Sequence, residues 1–176
     1  MNLVPGSPLW LLVPLFLALA AAAIEDFVRL RISNLTCLAV LVMAIFAVIL
    51  HGLSIDLWQN AAVFAALLGA GYLLFAFGKM GGGDVKFLAC LGLWVNINDG
   101  IWLLASTLIA GGILAFIYIA VRWGKATREG RKYKSKGIPY GLAIAAGACL
   151  VFTSQMGLLK GKPVRPNITD YQQPVS

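Results

Sequence analysis

Apolar residues fall into six blocks separated by short polar stretches: Pro8 to Glu25 ("PLWLLVPLFLALAAAAIE"), Leu35 to Leu50, Asn60 to Phe77, Val85 to Val95, Ile101 to Val121 and Pro139 to Gly157. Crossing a hydrocarbon core of about 30 Å takes about 20 helical residues at about 1.5 Å each. Each block therefore reads as a helix, and the fourth is short enough that it should be less tilted, sunk among its neighbours or shielded by them. The expected fold class is all-α: a polytopic membrane protein, a bundle of about six transmembrane helices forming one membrane domain over residues 1–176. The helices are expected at roughly 8–25, 35–50, 60–77, 85–95, 101–121 and 139–157, with a basic loop at 122–138 and a C-terminal tail at 158–176. The first block has no basic residues before it and reads as a retained helix rather than a secretory signal. Small residues such as those in "LLGAGYLLFAFG" and "GLAIAAGACL" allow close helix approach in a membrane.

Composition agrees with this pattern. Hydrophobic residues make up 60% of the chain and charged residues 12%, against about 25% charged in soluble domains. The net charge of +7 comes without a groove-reading or base-stacking pattern, so nucleic acid is not an expected partner. The basic residues cluster beside apolar blocks, as orientation signals and contacts for anionic lipid headgroups do. Cys37, Cys90 and Cys149 each lie inside an apolar block, no CxxC occurs, and His51 is the single histidine. Neither a metal nor any other cofactor is expected from such a set.

Arg29 and Arg31 follow block one, Lys79 and Lys86 surround the start of block four, and seven basic residues lie between Arg122 and Lys136. The stretches after blocks two and four, "HGLSIDLWQ" and "NINDG", have no Lys or Arg. The positive-inside rule then puts the first, third and fifth loops in the cytoplasm and both termini outside.

The chain has seven acidic residues. Asp56, Asp99, Glu129 and Asp170 read as solvated charges or, for Asp99, as a cap for helix five. Glu25, Asp26 and Asp84 remain. Asp26 falls at the cytoplasmic end of helix one and Asp84 at the cytoplasmic start of helix four, so the topology brings them to one depth. Two facing carboxylates cannot both ionise cheaply, and such a pair holds a shared proton, one member acting as base and the other as acid. That chemistry can drive water onto a peptide carbonyl and protonate the leaving amine. Taken singly, Asp84 could instead be a helix cap and Asp26 an interfacial acid. Lys86 could be an orientation charge or a partner to an acid.

The segment "GGGD", Gly81 to Asp84, fits the GxGD signature of aspartyl intramembrane proteases. With "EDFVRLRISN" from Glu25 and "IPYGLAIAAG" from Ile138, the chain resembles the type IV prepilin peptidases, and among them the short tight-adherence (Flp-pilus) branch. The resemblance implies catalytic Asp26 and Asp84, with Gly81 and Gly83 giving close backbone approach and Lys86 near the site. It also implies a prepilin-type substrate, a basic leader followed by a hydrophobic helix, cleaved after a glycine at the cytoplasmic face of the bacterial inner membrane. Ser33 follows Ile32 where such peptidases commonly have proline. The cysteine-rich insertion of the larger, bifunctional members has no room between helices one and two, so amino-terminal methylation is not expected. Three other readings stay open: a presenilin-like GxGD protease, a small proton- or cation-coupled transporter using Asp26 and Asp84, and a non-catalytic pilus or secretion assembly subunit.

Overall fold

The computed structural model describes residues 1–52, 54–78, 80–129 and 140–157, with the backbone alone at 118 and 122–129. Among these it holds six helices: α1 (Leu9–Arg29), α2 (Asn34–His51), α3 (Leu57–Ala76), α4 (Gly82–Gly92), α5 (Ile97–Glu129) and α6 (Tyr140–Gln155). Four of them, α1, α2, α3 and α5, are long and apolar enough to cross a membrane. The remainder of the expected basic loop, the C-terminal tail and Lys79 lie outside the described residues.

The fourth apolar block is shielded. The eleven residues of α4 rise only about 16 Å, and every residue from Asp84 to Gly92 is buried except Lys86. The helix is enclosed by α2, α3 and α6, and glycines permit the close fit. Gly71 of α3 lies against Val85, and Gly92 lies against Val63 and Leu67, so tightly that a Cβ at either would fall within 2.9 Å of a neighbour's side chain. The volume left at the far end of α4 is filled by the chain's first residues. Leu3 and Val4 are fully buried, and the Leu3 N–H donates to the Trp94 carbonyl at 3.0 Å. Asn60, itself buried, donates to the carbonyls of Leu93 and Met1 at 2.8 and 2.9 Å. These bonds satisfy carbonyls that a helix ending in an apolar interior would otherwise leave unpaired.

Two helices, α1 and α5, run furthest beyond what the apolar pattern suggests. α1 continues to Arg29, so Asp26 lies in its last turn rather than beyond its end. α5 begins four residues before and ends eight residues after the expected 101–121, so the opening of the expected basic loop is helical. Arg and Lys are good helix formers, and cations suit a helix C-terminus. The start of α5 is capped by Asn96 rather than Asp99. Asn96 Oδ1 accepts from the Asp99 N–H at 2.8 Å, while the Asp99 carboxylate accepts from the Asn2 side chain at 2.6 Å.

Candidate active site

The α1–α2 joint is four residues, Leu30 to Ser33, and its shape brings the site together. Leu30 takes the left-handed conformation, φ 54° and ψ 34°, with its N–H donating to the Asp26 carbonyl. A non-glycine residue there costs about 1–2 kcal/mol, and the sharp turn it permits sends Ile32 back into the bundle, where it is 6% exposed. Ser33 then caps α2, its hydroxyl accepting from the Thr36 N–H at 3.1 Å. Glu25 locks the joint: one carboxylate oxygen, Oε2, accepts from the Ser33 N–H at 2.9 Å and from the Thr36 hydroxyl at 3.1 Å. Sequence reasoning left Glu25 without a role, because that role exists only once the chain doubles back eight residues later.

Asp26 points into the bundle and is 2% exposed. The Leu142 N–H at the start of α6 donates to its Oδ2 at 3.1 Å, with the Gly141 N–H alongside. A helix N-terminus, with unpaired N–H groups and the positive end of its dipole, suits a carboxylate. Gly141 is required by the fit. A Cβ there would lie 2.9 Å from Asp26 Cβ and Cγ and 2.7 Å from Ile32 Cδ1.

Asp84 is the third residue of α4 and is 7% exposed. It is not the cap of α4; Gly81 holds that position without a side-chain bond. The carboxyl leans back over Gly81, where a Cβ would meet Oδ2 at 2.9 Å, and its Oδ1 is buried without a partner among the described residues. An orphaned buried oxygen costs about 1–3 kcal/mol, an expense that a purely structural acid has no reason to carry. Gly83 has its own constraint, because a Cβ there would fall 2.8 Å from the Ile32 carbonyl oxygen.

Ile32 is therefore the common neighbour. Its side chain abuts Gly141 beside Asp26, and its carbonyl abuts Gly83 beside Asp84. The two acids come to the same end of the bundle, close enough for the Asp26 charge to act on Asp84. Asp84 lies outside the four candidate spans; burial, and then the Asp26 charge, push its carboxyl from 3.8 up to about 6. Such a pair can hold one proton between two carboxyls at neutral pH.

Residues 13–119 match the type IV leader peptidase family. The chain belongs to that family. It is an aspartic-type prepilin leader peptidase and a multi-pass membrane protein, and the transporter and assembly-subunit readings fall away. No curated protein and no solved structure matches it. The leader peptidase match takes in Asp26 and Asp84 and stops short of α6, although α6 supplies the N–H groups that hold Asp26. Ile138 and Pro139 of the "IPYG" segment lie outside the described residues.

The structure does not bring Lys86 to the acids. It lies two residues beyond Asp84, about 200° around α4. It is exposed, and its Nζ donates to Asn34 Oδ1 at 3.3 Å, tying α4 to the start of α2. Cys37 Sγ lies 3.7 Å from the Gly83 carbonyl, and Cys90 is buried inside α4. Cys149 is exposed on α6 rather than buried as its apolar surroundings suggest.

Proposed function

We propose that Asp26 and Asp84 are the catalytic pair of this leader peptidase, and that it removes the basic leader from Flp-type (tight-adherence) prepilins at the cytoplasmic face of the bacterial inner membrane. The observation that carries this reading is the meeting of two buried acids around Ile32, one backed by the N–H groups of α6 and the other with an unpartnered oxygen. The difference in their surroundings suggests roles. Asp26, held by fixed donors, is the carboxylate that takes a proton from water. Asp84, with its carboxyl pushed up to about 6, carries the shared proton. The hydroxide so formed bonds to the carbonyl carbon of the glycine at the leader junction. The C–N bond then breaks as the amine takes the Asp84 proton, and proton transfer between the two acids restores the starting state. The junction must unwind first, since carbonyls within a helix are bonded and screened.

Orientation follows from the Lys and Arg asymmetry: the acids' end faces the cytoplasm, with both termini outside. The basic segment from Arg122 to Lys136 then meets anionic headgroups on that face. The four-residue α1–α2 joint leaves no cysteine-rich domain there, which favours proteolysis without methylation and the short, Flp-type branch.

The test is co-expression with a Flp-type prepilin, read as a size shift on a gel. The wild type should shorten the prepilin, and Asp26→Asn and Asp84→Asn should each leave it whole. A prepilin left whole by the wild type while a prepilin of another class is cut would overturn the substrate assignment. Cutting by either variant at the wild-type rate would overturn the roles of the acids.

A further inference from the structure

One cavity is bordered by the chain neighbours of both acids. It holds about 330 Å³ and lies between α3, α4, α5 and α6. On the α4 side its wall is made by Met80 and Leu88, which stand before and after Asp84. Leu88 is one turn along the helix from Asp84, and helical side chains lean toward the N-terminus, so Leu88 leans over the turn that carries the carboxyl. On the α6 side the wall is made by Tyr140 and Ala143. These two bracket Gly141 and Leu142, whose N–H groups hold Asp26. The α5 wall opposite carries Gly111 and Gly112, and a Cβ on Gly112 would meet nothing within 4 Å. A larger cavity of about 830 Å³ touches Gly82 and Gly83 but is completed by α3, with nothing from α6, where Asp26 is held. A third, of about 550 Å³, lies at the other end of the bundle beside Asn2 and Asp99.

Size and lining decide what fits. The space takes one large side chain and is far too small for a helix, which with its side chains is about 10–12 Å across. The lining is apolar apart from the half-buried Tyr140 and from Thr107, whose hydroxyl packs against Gly147 of α6. A charged side chain would find no partner there. The substrate's own polarity gives the direction. A prepilin is basic before the scissile bond and apolar after it, so the apolar side is the amine side. The amine takes its proton from Asp84, which sets the residue bearing that amine beside Asp84, against the wall of Met80 and Leu88.

We infer that this cavity receives the side chain of the first residue after the scissile bond and selects apolar side chains by their size. This rests on the reading of Asp26 and Asp84 as the catalytic pair, because their positions are what link the cavity to the cut.

The test takes a prepilin that the wild type cuts and places Ala, Phe or Trp directly after the cut, with kcat/KM measured for each. Gly112→Leu narrows the cavity, and the open space around Gly112 lets the variant fold. It should lower kcat/KM for the Phe prepilin about tenfold or more relative to the Ala prepilin. Leu108→Ala widens the cavity at a side chain that is exposed on the bundle surface. It should raise kcat/KM for the Trp prepilin about tenfold relative to the Phe prepilin. Gly69→Leu, in the larger cavity and also with nothing within 4 Å of its Cβ, should keep the wild-type ratios. Each ratio is read within one active enzyme, so it fails separately from the assignment of the acids, which is read from Asp26→Asn and Asp84→Asn. Wild-type ratios in Gly112→Leu or in Leu108→Ala, or a shift in Gly69→Leu as large as that in Gly112→Leu, would each overturn the inference.

Discussion

Leu142 holds Asp26 across a sequence separation of 116: its N–H, at the start of the last helix, donates to a carboxylate oxygen in the first, 3.1 Å away. One acid of the pair is thus positioned by α6, which lies beyond the family match, and the other by the glycine-rich start of α4. The geometry of the pair can therefore be disturbed without touching either carboxyl.

Gly141 is the place to do so. A side chain there would press on Asp26 and Ile32 at 2.7–2.9 Å, closer than real contacts allow. Gly141→Val should abolish prepilin cleavage while the protein still reaches the membrane at near-normal levels. Gly112→Ala, where a Cβ meets open space, serves as a control for membrane insertion. Normal cleavage by Gly141→Val would mean that the packing around Asp26 has no bearing on activity.

The acids themselves should behave as a unit. Asp26→Asn and Asp84→Asn keep the shape of each side chain but cannot exchange the proton, so each should lower cleavage by about 10²–10⁴-fold. The double variant should be little worse than either single one, as groups that act in one step are far from additive. Additive losses, measured with purified enzyme, would separate the two acids into independent roles.

Both acids were legible in the sequence because carboxylates are scarce in this chain, and the alternation of six apolar blocks puts Asp26 and Asp84 at one end of the bundle. The supports around them were not. Glu25 has no evident role until Leu30 turns left-handed and delivers Ser33 to it. Asn60 reads as the polar start of a helix until the carbonyls of Leu93 and Met1 come to it from distant segments. Lys86 looks like a neighbour of Asp84 along the chain, and helical geometry sends it to Asn34 instead. Periodicity carries depth and end, whereas these contacts depend on which helices adjoin.

Glu25 supplies a finer test of that joint. Both of its bonds go to a single oxygen, Oε2, and a glutamine carbonyl oxygen can accept the same pair. Glu25→Gln should retain most activity. Glu25→Ala removes both bonds and leaves the Ser33 N–H unsatisfied, a loss of about 1–3 kcal/mol, and should lower both thermal stability and cleavage. Equal activity in the two variants would show that the joint holds its shape without the carboxylate.

The last prediction concerns what the site costs the fold. The Asp84 carboxyl is raised from 3.8 to about 6, first by burial and then by the Asp26 charge. Below about pH 4 this group is protonated in both folded and unfolded chains and adds no pH-dependent penalty. Between about pH 4 and 6 the unfolded chain ionises while the folded one keeps its proton, so stability falls as pH rises. Above about pH 6 the folded state carries the full cost of a buried charge. Asp84→Asn removes that cost. Its apparent Tm in detergent should exceed the wild-type value at about pH 7.5, and the difference should shrink toward zero at about pH 4. The same Tm difference at both pH values would show that Asp84 is not strained by its charge in the folded enzyme, and its role as the proton-bearing member of the pair would then have to pass to Asp26.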